Sequence, residues 1–249
     1  MLKVPLAIVS ALDDETRIIC SKMCVDTRIH VRPGLITRGT YDHHPLLLVR
    51  TGIGPKSMAS TMGHMLAMHR PELIIHTGYC GGADPALQPG DLVIAESVID
   101  SNTGQRHEAD KNLVLRANKL IQNTGMRGSV GALVTVDSVV NSPHDKAFLA
   151  TQHSCIGIDM ESAQLAHACS KAAVPYLVVR AVLDPLDYHL PDLTGAIAEN
   201  GSTDGFALAS HLIRKPADVL KLTKIEYFAT QAREAITSFV DAWLKEEAR

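Results

Sequence analysis

Hydrophobic positions along this chain come in two rhythms. Short apolar runs at Leu6 to Leu12, Leu46 to Val49, Leu73 to Ile75, Leu92 to Ile94, Val130 to Val136 and Tyr176 to Val182 have the length and density of buried strands. Between them the spacing lengthens to that of helices. Met58, Met62, Met65 and Leu66 fall at i, i+4, i+7 and i+8, and Ser162 to Ala172 forms another helical stretch, after which Pro175 opens a strand. Asp84-Pro85 and Gln88-Pro89-Gly90-Asp91 punctuate the chain as turns. Strand and helix alternating in this way predict an α/β domain with a mostly parallel sheet. From Asp187 to Thr203 the rhythm stops, and Pro191, Gly195 and Gly201 mark an active-site flap or surface loop. Phe206, Leu208, Leu212 and Ile213 then predict one helix. Leu222, Ile225, Phe228, Ala235, Ile236, Phe239, Val240 and Trp243 predict a long terminal one, with Pro216 between the two. No internal repeat or domain boundary is visible, so the chain reads as one domain, 1–249, with a helical C-terminal portion from about 203 to 249.

Polar residues at the strand ends carry the chemistry. Asp13, Asp14 and Glu15 cluster just past the first strand, where Asp13 and Asp14 suit the capping of a helix. Glu15, near the same sheet edge as the other candidates, can orient and deprotonate a water. Gly52-Ile53-Gly54 and Gly78-Tyr79-Cys80-Gly81-Gly82 follow two of the strands as glycine-rich turns, and each is either a tight turn or a place where backbone N–H groups meet a ligand. Neither belongs to a GxxxxGKS/T loop or to a GxGxxG fingerprint after the first strand. Their occurrence at consecutive strand ends favours a ligand at the carboxyl edge of the sheet.

The richest stretch is CIGIDMESAQLAHACSKAAVPYLVVRAVLDPLD, Cys155 to Asp187. Met160-Glu161 opens a helix there, with Asp159 in a capping position, and Asp184 ends the strand that follows. Arg180 sits inside that apolar strand, and a buried arginine requires a carboxylate or carbonyl partner. Asp184-Pro185 is also an ordinary turn signal. Two carboxylates so placed can divide the labour of breaking a bond to a sugar, one holding a hydroxyl and the other protonating the leaving group.

Composition narrows the partners. The chain has 249 residues, 46% hydrophobic and 20% charged, enough for a large core. A net charge of −3 without a basic run argues against nucleic acid. Five cysteines, Cys20, Cys24, Cys80, Cys155 and Cys169, are few and odd in number, as expected of reduced thiols in a cytoplasmic protein. The start MLKVPLAIVSALDDE meets its acids too early for a secretory leader, and no apolar run approaches the roughly 20 residues that span a bilayer. Peripheral contact with a membrane stays compatible with this composition. His43-His44, His64, His69 and His76 are not in an HExxH arrangement, and Cys20 and Cys24 lack a second pair, so no metal is expected. A Cys80–histidine nucleophile is a minor alternative.

AIVSALDDE at 7–15, RTGIGPKSMA at 50–59, PELIIHTGYCGGADPALQPGDLVIAE at 71–96 and GIDMESAQLAHACSKAAVPYLVVRAVLD at 157–184 run in one order over most of the first 187 residues. In these blocks the chain resembles the purine nucleoside phosphorylase and methylthioadenosine/S-adenosylhomocysteine nucleosidase superfamily. GALVTVDSVV at 131–140, LDPLDYHLPDL at 183–193 and ASHLIRKPADVLKL at 209–222 are similar to the hopanoid-associated phosphorylase-like proteins within it. The resemblance implies a three-layer αβα sandwich around a twisted mixed β-sheet, a homodimer or larger homo-oligomer, and no metal or organic cofactor. It implies Asp184 as the acid that protonates purine N7 and Glu15 as the residue that positions water. Glu161 would bind the ribose 2′-hydroxyl with Met160 packing on the sugar, Val139 and Val140 would lie beside the base, and Gly78 and Tyr79 would line the substrate side. Arg180 would support the carboxylates.

The activity implied is cleavage of the N-glycosidic bond of a 5′-substituted adenosine with release of adenine, by hydrolysis. The substrate would resemble adenosylhopane, or be methylthioadenosine or S-adenosylhomocysteine. The acidic loop SALDDE, and His76 and Tyr79 where phosphorylases place an arginine and a serine, favour water over phosphate. The alternative is a phosphorylase with phosphate as co-substrate, its anion site built from Arg17, Arg50, His76 or a partner's arginine. A non-catalytic nucleoside-binding protein is the alternative of another class. It is motivated by Leu183, where nucleosidases carry a serine, and by Tyr79, where they carry a small residue.

Overall fold

The computed structural model describes residues 2–190 and 218–247; the helix expected at Phe206 to Ile213, Pro216 and most of the expected flap lie outside the described residues. The first half runs β1 (Leu2–Ser10), α1 (Asp13–Lys22), β2 (Met23–Val31), β3 (Gly34–Tyr41), β4 (His44–Arg50), α2 (Pro55–Met68), β5 (His69–Gly82) and β6 (Leu92–Asp100). After these come β7 (Arg106–Glu108), α3 (Lys111–Asn123), β8 (Gly128–Thr135), α4 (Pro143–His153), β9 (Cys155–Asp159), α5 (Ser162–Ala172), β10 (Tyr176–Asp184) and the long α6 (Asp218–Glu247).

The period-two alternation of the strands sorts their side chains to two helical layers. Ala7, Val9, Leu47 and Val49 pack with Met58, Met62 and Met65 of α2 and Leu165 and Cys169 of α5. Their neighbours Leu6, Ile8, Leu46 and Leu48 face the other way. They meet Ile19 of α1, Ala117 and Ile121 of α3, and Ile236, Phe239 and Trp243 of α6. The three-layer αβα arrangement is therefore built residue by residue from apolar runs covered on both faces.

The sheet is mixed rather than mostly parallel. β1 pairs in parallel with β4 and β5, β10 with β5, and β8 with both β6 and β9. The β2–β3, β3–β4, β5–β9, β6–β7 and β6–β10 pairings are antiparallel. The sheet also closes on itself. β5 binds β10 along Ile74 to Gly81 and β9 at Gly81 and Gly82, so β5, β10, β6, β8 and β9 form a ring from which β1, β4, β3 and β2 extend as a wing.

That closure corrects the reading of Gly78 to Gly82. These residues are not a turn but the last part of the 14-residue strand β5. Glycine is a poor strand former in isolation, but here it allows the strand to change neighbours while leaving room for side chains beside it. Among the described residues no helix is long and apolar enough to cross a membrane.

Candidate active site

Arg180 organises the site. It lies on β10 in register with Gly78 of β5 and is fully buried. Its guanidinium donates to Asp159 and, from Nη1, to the Thr77 carbonyl at 3.3 Å. Nη2 is 3.6 Å from Glu161 Oε2 and 3.2 Å from Ser162 Oγ. Asp159 is held in turn by the Thr135 hydroxyl (2.7 Å) and by the backbone N–H of Ser162 (3.1 Å) at the start of α5, where Glu161 rather than Asp159 occupies the N-cap position. His76, on the same face of β5, has Nε2 3.1 Å from Arg180 Nη2. Burial, reinforced by the arginine's charge, holds the His76 pKa well below its ordinary value, so the ring is neutral.

Glu15 reaches this cluster from the first turn of α1. One carboxylate oxygen accepts from the backbone N–H groups of Ala11 (2.9 Å) and Leu12 (2.8 Å), and the other from Tyr79 N–H at 2.9 Å. Glu15 thus satisfies the start of α1, a task the sequence assigns to Asp13 and Asp14. Those two turn away. Asp13 pairs with Arg50; Asp14 bonds the Tyr79 hydroxyl (2.7 Å), Arg17 (2.8 Å) and Arg233 of α6 (2.6 Å). The acidic loop therefore presents one carboxylate, not three, to the site. A Cβ at Gly78 would lie 2.7 Å from Glu15 Oε1 and would collide with Arg180, so the missing side chain is what lets Glu15 and Arg180 approach.

Glu161 accepts from Gly54 N–H at 2.8 Å, which brings the turn after β4 to the start of α5. Burial pushes the Glu161 pKa up; Arg180 opposes the shift and Asp159 adds to it. Glu15 is raised too, again chiefly by burial and against Arg180. Glu15 and Glu161 thus share one opposing influence, the Arg180 charge that favours their ionised forms against the cost of burial.

Asp184 ends β10 opposite Gly81 and is 3% exposed. Burial raises its pKa to about 6, while the Lys146 ammonium bonded to it holds the value lower than burial alone would. The sequence reading missed Lys146. It sits in α4, whose apolar pattern is weak, and nothing in its sequence neighbourhood singles it out. Met160 and Val140 both pack on the small apolar cluster of Val134, Val136 and Ile158, next to these carboxylates. Val139 points outward and is 59% exposed. Arg50 pairs with Asp13, and His76 lies within the Arg180 cluster. Burial raises the Cys80 thiol pKa far above its ordinary value, which removes it as a nucleophile. Among the described residues no group of three or more His, Cys, Asp or Glu could hold a metal ion.

The profile of the phosphorylase superfamily matches residues 5–214 of this chain. A protein of Geobacillus kaustophilus (strain HTA426) named 5′-methylthioadenosine/S-adenosylhomocysteine nucleosidase is 30% identical over 197 residues, 72% of this chain and 83% of that protein. The crystal structure of a nucleosidase of the same name from Neisseria meningitidis, in complex with methylthio-immucillin-A, covers 99% of this chain and 100% of its own, with a TM-score of 0.77 at 19% identity. The native structure of futalosine hydrolase of Helicobacter pylori strain 26695 covers 96% and 97% with a TM-score of 0.71, also at 19% identity.

Proposed function

The chain belongs to the phosphorylase superfamily, and from that premise we propose that it is an enzyme that hydrolyses the N-glycosidic bond of a 5′-substituted adenosine and releases adenine. The observation that carries the reading is the convergence of Glu15 and Glu161 on the two sides of buried Arg180, with Asp184 on the same pair of strands. In this reading Asp184 gives its proton to purine N7, and the electron pair of the C1′–N9 bond leaves with the base. Water, held and deprotonated by Glu15, adds to C1′ from the opposite face. Glu161 binds the 2′-hydroxyl as charge grows on the sugar, and Arg180 holds the carboxylate framework.

Water is favoured over phosphate because the nucleophile side holds a carboxylate bound by three backbone N–H groups. The nearby cations Arg50, Arg17 and Arg233 are already paired with Asp13 or Asp14. The Arg50–Asp13 pair, in which Asp13 is 73% exposed, leaves phosphorolysis as the second reading. The names of the relatives favour a methylthio or homocysteinyl group at the 5′ position. An adenosylhopane-like substrate is the alternative, and exposed Val139 and Phe148 are apolar side chains that such a tail could meet. A homodimer or larger homo-oligomer, cytoplasmic or peripheral to the membrane, completes the reading.

Purified protein incubated with methylthioadenosine, S-adenosylhomocysteine and an adenosine bearing an apolar 5′ chain, with and without phosphate, tests it through the mass of the sugar product. A free ribosyl product without phosphate is expected. A ribose 1-phosphate formed only with phosphate would overturn hydrolysis. Asp184→Asn should lower kcat by roughly 100-fold or more while adenine still binds, and a fully active variant would remove Asp184 from its role.

A further inference from the structure

Two long cationic side chains are buried among the described residues, Arg180 and Lys146, and only Arg180 has been given a part. Lys146 is 1% exposed. Its ammonium donates to Asp184, to the Pro185 carbonyl at 2.9 Å and to the Tyr188 carbonyl at 3.2 Å. Three protons meet three acceptors, so the charged form is satisfied without water. The helix that carries it is anchored at its start, where the Ser142 hydroxyl accepts from Asp145 N–H at 3.1 Å. The Leu190 N–H donates to the Asn141 carbonyl at 3.1 Å, tying the segment after Asp184 to the segment before α4. Lys146 thus stands between two chain segments that frame one carboxylate.

We propose that Lys146 is the positioning residue of Asp184: its ammonium orients the carboxyl group and holds the negative charge that Asp184 acquires when its proton passes to the leaving base. The proposal rests on the reading of Asp184 as the acid. In that step one proton moves from Asp184 to purine N7, and Lys146 keeps its own three protons throughout. A cation beside the carboxylate makes Asp184 a stronger acid, at the cost of a lower fraction protonated near neutral pH. Facing Asp184 from β5 are Gly81 and Cys80, whose thiol stays neutral, so among the described residues Lys146 supplies the full charge that touches it.

The wild-type protein should lose kcat/KM as pH rises through about 6, where Asp184 gives up its proton. In Lys146→Met the acid is weaker and titrates later. Its kcat on the acidic plateau should fall about 10- to 100-fold, with KM changed less than about 3-fold and the alkaline limb moved up by about one pH unit or more. The deficit should therefore shrink as pH rises. Lys146→Arg keeps the charge and should keep the limb within about half a unit of wild type; it stands in should the methionine variant fail to fold. A loss equal at every pH, or an arginine variant whose limb shifts as far as that of methionine, would overturn the proposal. Carboxyl-carbon NMR of Asp184, assigned through Asp184→Asn, follows the same coupling without turnover. If no nucleoside is cleaved but the Asp184 midpoint still rises in Lys146→Met, the proposed reaction fails and the coupling stands. An unmoved midpoint overturns the coupling itself.

Discussion

At the scale of single residues, the site depends on an absence. Gly78 has a φ of +149°, and the space its side chain would fill belongs to Glu15 Oε1 and the Arg180 guanidinium. Gly78→Ala should push these groups apart, lower kcat/KM by about 100-fold and cost roughly 2–3 kcal/mol of stability. Steady-state assays and urea unfolding read the two effects separately, and near-wild-type values in both would show that the neighbours relax freely. Glu15, Glu161, Arg180 and Asp184 were legible because strand ends and a helix start hold acids, and because an arginine inside an apolar run needs a partner. Asp13 and Asp14 suited a cap by position, but their carboxylates are taken by side chains distant in sequence, Arg50 for Asp13 and Tyr79 and Arg233 for Asp14, which the local sequence does not show. Lys146 gave no sign at all, since its partner lies 38 residues away and meets it only in the folded chain.

Among the elements, α6 joins good helix formers to a buried apolar face. Ile236, Phe239, Val240 and Trp243 face the sheet, and the Trp243 ring carries the Arg116 guanidinium 4.1 Å from its centroid. Phe239→Ala should destabilise by about 3–5 kcal/mol. Trp243→Phe should cost less than about 1.5 kcal/mol, because its buried indole N–H has no hydrogen-bond partner to lose among the described residues. Urea midpoints at constant m-value test both, and a larger loss for the tryptophan change would reveal an unseen role for that N–H. Helix α5, Ser162–Ala172, was readable to the residue from its helical pattern, though not from its cap, which is Glu161 rather than Asp159. Helix α3 was overlooked although Val114, Ala117, Leu120 and Ile121 repeat at helical spacing behind Asp110, a signal present in the sequence. Strands β2 and β3 were hidden for a physical reason: β2 is an edge strand with exposed positions along most of its length, so it has no apolar run to show.

For the molecule as a whole, the apolar runs foretold an α/β class and the family resemblance implied its three layers, but neither told how the sheet closes, because pairing between distant strands leaves no local trace. The same packing sets thiol access. Cys80, Cys155 and Cys169 are buried, Cys20 is half-buried and Cys24 is exposed. Burial also raises the pKa of Cys155 to about 11 and that of Cys169 to about 12. A thiol reagent should modify Cys24 quickly and Cys20 more slowly, reaching the other three only on unfolding, and turnover should survive the first modification. Rapid reaction of a third thiol in the native state would show that a core face opens.

The strand ring has a consequence for how the protein is made. β5 needs β10 on one side, yet about a hundred residues separate them in sequence, and β10 also completes the ring by meeting β6. A chain emerging from the ribosome can pair β1 through β5 early, but its central strand must wait with an open edge until residue 184 is out. Arg180 and Asp184 arrive on that same strand, the last among the described residues. The step that seals the barrel-like half of the sheet is therefore also the step that delivers the arginine and the acid, and until it occurs the exposed edge of β5 is where a nascent chain is most open to chaperones or to mispairing.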